Sequence, residues 1–286
     1  MYRDILLDID DPVAVITLNR PEKLNALTDR TLQELRHALA TAEADARVVG
    51  IVLTGAGRAF SAGVDMGALA RIQAAGEIAA MREETELDPR EPGDPSMGED
   101  FRSGWAVLLS LRKPVIAAVN GPCVGLGFSI AMFCDLRFAA EAAFFLPSFA
   151  QRGLVAEHGT SWIVPRLVGP SRALDILWSG RRIGAAEAKE LGLVNRVVAG
   201  EELLEAAREY VRQLARTSSP TSLMHMKRQV WRHLMLPLGA AMQETNALQD
   251  ASVTWPDFAE GLASFREKRE PRFARLAFPQ ERRDEP

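Results

Sequence analysis

The chain is poor in the residues that usually announce a metal centre or a stapled scaffold. Two cysteines occur in 286 residues, Cys123 and Cys134, both in apolar surroundings. They read as reduced packing residues, which excludes a disulfide framework. Four histidines are present, and His37, His225 and His233 fall on expected helices without metal-ligand spacing. Basic charge is not in excess: 34 Lys and Arg stand against 38 Asp and Glu, a formal net charge of -4. A nucleic-acid footprint needs a concentrated basic face, so none is expected. No apolar run is long and charge-free enough to span a bilayer, and no leader-like stretch precedes the first strand-like run. The cytoplasm is therefore the expected location. Nucleotide signatures are absent too. Gly125-Leu126-Gly127-Phe128-Ser129-Ile130 carries Ile130 where a dinucleotide loop needs Gly or Ala, and Gly55-Ala56-Gly57-Arg58-Ala59-Phe60 fails at Phe60. Neither a GxxxxGK[ST] loop nor a GxSxG elbow occurs.

What is there is 47% hydrophobic and 25% charged residues, enough for one sizeable globular core. Ile5 to Ile9 and Val13 to Leu18 read as a hairpin about Asp10-Asp11-Pro12. Thr28 reads as an N-cap, with Leu32, Leu35, Leu39 and Ala42 at helical spacing after it. Buried strands are expected at 48–53 and 115–119, further strands at 136–139, 143–146 and 194–198, and helices at 128–134, 160–167 and 171–179. The stretch 76–104 is rich in Glu, Asp, Pro and Gly and reads as a mobile surface loop, or as a wall over a pocket. From Glu201 onward only helices are expected, at 201–215, 221–234, 238–250 and 257–268. Their apolar stripe (Leu214, Leu223, Met226, Val230, Leu234) suits a core or a subunit interface. The division is a mixed α/β core over 1–200 and a helical region over 201–286.

Two loops carry chemical promise. Gly57 to Asp65 and the glycine-rich 121–127 each follow a buried strand, and the second opens into a helix. Strand ends of α/β sheets bind ligands, glycine admits close backbone approach, and a helix start offers unpaired N–H donors. Facing each other, two such loops would form an oxyanion hole.

Several segments together resemble the enoyl-CoA hydratase/isomerase (crotonase) family. Arg20 to Leu27 resembles its RPxxxNAL segment, and Phe60 to Asp65 its F-[SA]-A-G-x-D loop. Lys113 to Gly121 with Gly125-Leu126-Gly127 is similar to its KPxIAAVxGxxxGxG, and Glu260 to Arg269 to its EGxxAFxEKR. The resemblance implies a crotonase-like spiral of ββα units with a helical C-terminal trimerisation region, a homotrimer or homohexamer, and an acyl-CoA thioester as substrate. It implies no separate cofactor, because coenzyme A is part of the substrate. It places the oxyanion donors at Ala62 and Leu126, and coenzyme A contacts at Lys23, Leu24, Ala26, Ser61, Ala62, Asp65 and Gly125. Phe265 and Lys268 are implied to reach the coenzyme A of a neighbouring subunit.

The chain departs from the hydratase pattern at both usual glutamates, where Ser129 and Ser148 stand. Serine is a poor acid or base at neutral pH. Gly153 to Thr160 instead resembles the GLxxExG segment of family isomerases, which makes Glu157 the implied acid/base. Taken as residues alone, Glu157 and Asp65 could simply serve nearby helix N-termini, and His158 and Asp135 could be structural. An acyl-CoA hydrolase or C–C lyase on the same scaffold, or a non-catalytic acyl-CoA-binding member, are the alternative expectations.

Overall fold

The computed structural model describes residues 2–88, 90–276 and 278. A hairpin of β1 (Ile5–Asp10) and β2 (Val13–Leu18) leads into α1 (Asp29–Ala44) and β3 (Gly50–Gly55). Then come α2 (Met66–Ala75), the short α3 (Val107–Ser110), β4 (Val115–Val119), β5 (Pro122–Val124) and α4 (Leu126–Phe133). They are followed by β6 (Leu136–Ala140), β7 (Phe144–Leu146), α5 (Thr160–Val168), α6 (Pro170–Ser179) and β8 (Ile183–Gly184). The chain continues through α7 (Ala185–Leu191) and β9 (Arg196–Val198). Four helices end the described fold: α8 (Leu203–Thr217), α9 (Pro220–His233), α10 (Leu238–Ser252) and α11 (Pro256–Glu267).

Among the described residues the main sheet runs β1-β2-β3-β4-β6-β9, with only the β1–β2 pair antiparallel. Its central strands β3 and β4 are buried at every residue, as strands covered on both faces must be. A small second sheet, β5-β7-β8, stands beside it. This ββα-repeating α/β core with a helical C-terminal region is the expected fold class. Thr28 caps α1, accepting from the Thr31 N–H while its own N–H meets Thr31 Oγ1. Leu35, Leu39 and Ala42 face the core, and Leu32 packs at its edge.

The 76–104 stretch differs from an open loop. It folds as short 3-10 turns, and it buries Met81, Met97 and Phe101. Composition hid this because backbone N–H groups of the stretch bond inward to carboxylates of α1: Gly93 N–H donates to Glu43 (2.7 Å) and Glu83 N–H to Asp29 (2.8 Å). The C-terminal stripe also divides. Met226 and Val230 are each 60% exposed, so that part is not core of this chain. Residues 277 and 279–286 of the expected helical region lie outside those described. No helix among the described residues is long and apolar enough to cross a membrane.

Asp135 is structural, accepting from the Val115 N–H and Trp231 Nε1 and pairing with Lys227 at 2.7 Å. Buried Lys113 donates to the carbonyls of Ala42 and Asp45 at the end of α1. Burial pushes its pKa down from 10.5 to about 8. Between those values the unfolded chain holds the proton and the folded chain has released it, so stability attributable to Lys113 rises with pH across that window. Urea midpoints of wild type and Lys113→Met, taken from about pH 7.5 to about pH 10.5, should therefore separate progressively in favour of wild type. The expected divergence is on the order of 3 kcal/mol. Parallel midpoints would refute it.

Candidate active site

Asn25 and Asn120 organise the first chemical loop. Asn25 is buried, and its Nδ2 donates to the carbonyls of Ala56 (2.9 Å) and Ala59 (2.8 Å). Asn120 Nδ2 donates to the carbonyls of Gly55 and Gly57, each at 2.9 Å. These asparagines knit the end of β3 to the Arg20–Ala26 segment and to the end of β4. Sequence reasoning gave neither a role, although an asparagine inside each matched segment was the available signal.

The two glycine-bearing loops are joined directly. Ser61 pairs with Cys123 in a parallel bridge, its N–H donating to Pro122 O (3.0 Å) and its carbonyl accepting from the Val124 N–H (2.9 Å). Glycine is demanded at the contact: a Cβ on Gly127 would stand 2.6 Å from Ser61 Cβ, and one on Gly63, at φ 91°, 3.1 Å from Val124 O.

Where the loops meet, a cavity of about 380 Å³ opens. The first loop contributes Ala62, Val64 and Asp65, and the second Gly125 and Leu126. Lys23, Ala26, Ser148, Arg152, Glu157 and His158 also line it. A second cavity of about 610 Å³, lined mainly by Phe101, Trp105, Leu109, Phe133 and Trp162, also has His158 in its wall. The 76–104 stretch thus does wall a pocket, through Phe101 and Gly104 among others.

One expected donor is already spent. The Ala62 N–H donates to Leu24 O at 2.9 Å, closing the loop on itself, so Ala62 lines the cavity without offering its N–H. The neighbouring N–H of Val64 is not spent in this way. Leu27 bridges this strand-like segment through the Gly63 carbonyl and the Asp65 N–H, which turns the Val64 N–H the other way. Val64 N–H has no acceptor among the described residues. Leu126 begins α4 after Gly125 at φ 52°, so its N–H belongs to the first turn, which has no acceptor within the helix.

The other expected residues divide. Ser61 is fully buried and holds the loop, donating to Asn25 O (2.8 Å) and accepting from the Gly63 N–H (3.2 Å); it does not line the cavity. Leu24 is likewise absent from the lining. Asp65 caps α2 and pairs with Arg20 at 3.2 Å. Burial pushes its carboxyl up, but the Gly67 N–H and the Arg20 guanidinium outweigh this and hold it below the usual range. Phe265, 84% exposed, and Lys268, at the left-handed end of α11, lie outside the cavity lining. Ser129 is fully buried and donates to Gly125 O (3.2 Å) rather than facing the cavity.

Glu157 keeps 25% of its side chain accessible, with its carboxylate 3.9 Å from His158 Nε2. Its carbonyl accepts from the Thr160 N–H (3.0 Å) and Oγ1–H (2.7 Å), which fixes the backbone at the entry to α5. Burial lowers the His158 pKa below 6.5 against the opposing pull of Glu157, so the ring is neutral at pH 7. No group of His, Cys, Asp and Glu among the described residues could hold a metal ion.

The chain is similar to known proteins over nearly its whole length. The family model described as enoyl-CoA hydratase/isomerase matches residues 8–275. A probable enoyl-CoA hydratase of Rhizobium meliloti is 36% identical over 272 residues, covering 95% of this chain and 98% of that protein. A probable enoyl-CoA hydratase of Mycobacterium tuberculosis is 33% identical over the same shares. The crystal structure of enoyl-CoA hydratase from Bacillus anthracis superposes with a TM-score of 0.82 at 30% identity, covering 95% of this chain and 99% of that one. Joined to the fold and the paired loops, these likenesses establish that the chain is an enzyme of the enoyl-CoA hydratase/isomerase family, with the crotonase fold.

Proposed function

We propose that the enzyme shifts the double bond of a 3-enoyl-CoA thioester to the 2-position through an enolate. The thioester oxygen sits between the N–H groups of Val64 and Leu126, which are fixed before the charge develops. Glu157 removes a proton from C2, the negative charge moves onto the thioester oxygen, and the protonated Glu157 returns the proton to C4. This acid–base chemistry draws on no separate cofactor. Lys23 and Ala26 form the coenzyme A side of the cavity, and the aromatic-walled second cavity takes the acyl tail. The exposed apolar face about Met226 and Val230 serves as the subunit contact of a trimer or hexamer.

The observation that carries this reading is the division of labour between the two carboxylates on the cavity wall. Asp65 is committed to Arg20 and to capping α2, which leaves Glu157 as the acid/base group. Hydration would call for a second acid/base group to activate water, and the two serines do not supply it: Ser129 is buried and bonded to Gly125 O, and Ser148, which lines the cavity, is a hydroxyl and a poor base at neutral pH.

The test is a paired assay with 3-enoyl-CoA and 2-enoyl-CoA. Conversion of the first to the 2-enoyl isomer, with hydration of the second at least about a hundredfold slower, is the expected result. Faster hydration, or release of free coenzyme A, would replace this reading with a hydratase or a hydrolase. Saturable binding without turnover would mark a binding protein.

A further inference from the structure

The cavity carries a polar feature that this reaction does not use. Ser148, only 7% exposed, follows Pro147 at φ 62°, in the left-handed region that a non-glycine residue occupies only when its surroundings impose it. Arg152, at the end of the 3-10 turn Ala150–Arg152, donates through Nη1 to Ser148 O (2.9 Å) and to Ser148 Oγ. Both residues line the cavity. Arg152 Nε and Nη2 have no acceptor, and no carboxylate pairs with the guanidinium within 4.0 Å, among the described residues. Because Ser148 Oγ accepts from Arg152, its own hydrogen remains to donate. The pair therefore offers a fixed set of donors with a positive charge and no protein acceptor to satisfy them. A planar anion of carboxylate size fits such a fork, and Arg152 is solvent-accessible, so its charge need not be desolvated before the ligand arrives.

We infer that Ser148 and Arg152 read a carboxylate on the acyl group, so that the preferred substrate is the coenzyme A monothioester of an unsaturated dicarboxylic acid. This rests on the thioester placement proposed above. The phosphates of coenzyme A are the other source of negative charge, and Lys23 is a second cation lining the same cavity, so the experiment must separate the two anions. Arg152 lines the cavity together with Glu157, five residues further along the chain, and with His158.

The experiment compares a neutral 3-enoyl-CoA with its chain-matched counterpart carrying a terminal carboxylate, for wild type, Arg152→Gln and Arg152→Lys. The readout is the ratio of the two kcat/KM values. Wild type is expected to favour the carboxylated substrate at least about tenfold, as a site built to bond a polar group does. Arg152→Gln should abolish the preference, and Arg152→Lys should keep part of it. The same acyl pair on pantetheine, which lacks the phosphates, should give the same wild-type ratio. An absent preference, a ratio that survives Arg152→Gln, or an Arg152 effect that vanishes on pantetheine would each overturn the inference. Should neither substrate turn over, the enolate reading fails by itself. The ratio of dissociation constants for the matching saturated thioesters, measured by calorimetry, then still decides the carboxylate question.

Discussion

Glu157→Gln should lower kcat for 3-enoyl-CoA isomerisation by at least about two orders of magnitude while leaving KM nearly unchanged. Glutamine keeps the size and one carbonyl oxygen but cannot take the C2 proton, so ground-state binding survives and proton transfer does not. Two features of the site sharpen this expectation. Among the described residues the carboxylate is one of only two on the cavity wall, and the other is held by Arg20 and the start of α2. The backbone that carries Glu157 is anchored by Thr160, so a neutral side chain at 157 has no cause to shift the loop. The rival base is His158, whose pKa burial keeps below 6.5. If His158 did the work, Glu157→Gln would keep most of its rate, and the kcat profile would fall away only as pH drops below that pKa and the ring gains a proton. A variant retaining more than about a tenth of wild-type kcat would remove Glu157 from the mechanism.

Much of this frame was legible in the residues because the signals were periodic or local. The β1–β2 hairpin, the Thr28 cap and the four C-terminal helices were expected within a few residues of where they lie, since alternation, capping and 3.6-residue spacing mark such elements directly. The small sheet was not. Strands of three and two residues, β5 and β8, are too short to show alternation, and β5 was read as part of a tight loop. The site was legible to the level of loops and not of atoms. The matched segments brought Leu126, Gly125, Asp65, Lys23, Ala26 and Glu157 to one cavity. Which N–H of the first loop is available depends on long-range pairing. Leu24 O takes the Ala62 donor from 38 residues away, and Leu27 turns Val64 the opposite way, neither of which the spacing of Phe60 to Asp65 could reveal. The Ser148–Arg152 pair was hidden for a like reason: a serine read only as a missing glutamate gives no hint of the guanidinium that fills its place.

Gly127→Ala should cost kcat on the order of a hundredfold although it touches no substrate atom, because it pries apart the two loops that carry the donors. The added methyl would begin 2.6 Å from Ser61 Cβ and 2.9 Å from Ser61 Oγ. Ser61 cannot retreat: it is fully buried, bonded to Asn25 O and the Gly63 N–H, and paired with Cys123 through its backbone. Relief must come from separation of the loops by something near 1 Å, and a displacement of that size at the reacting centre is what a hundredfold loss reflects. Stability should fall by about 1–3 kcal/mol, as for other overpacked sites, which leaves the enzyme folded and assayable. The signature distinguishing lost donor geometry from general damage is a double-variant cycle. Ser61→Gly removes the Cβ and Oγ that the new methyl meets, so Ser61→Gly combined with Gly127→Ala should recover a large part of the kcat lost by Gly127→Ala alone, even though Ser61→Gly by itself gives up two hydrogen bonds. Purely additive losses would mean that the methyl harms α4 itself, and that the spacing of the two loops does not set the rate.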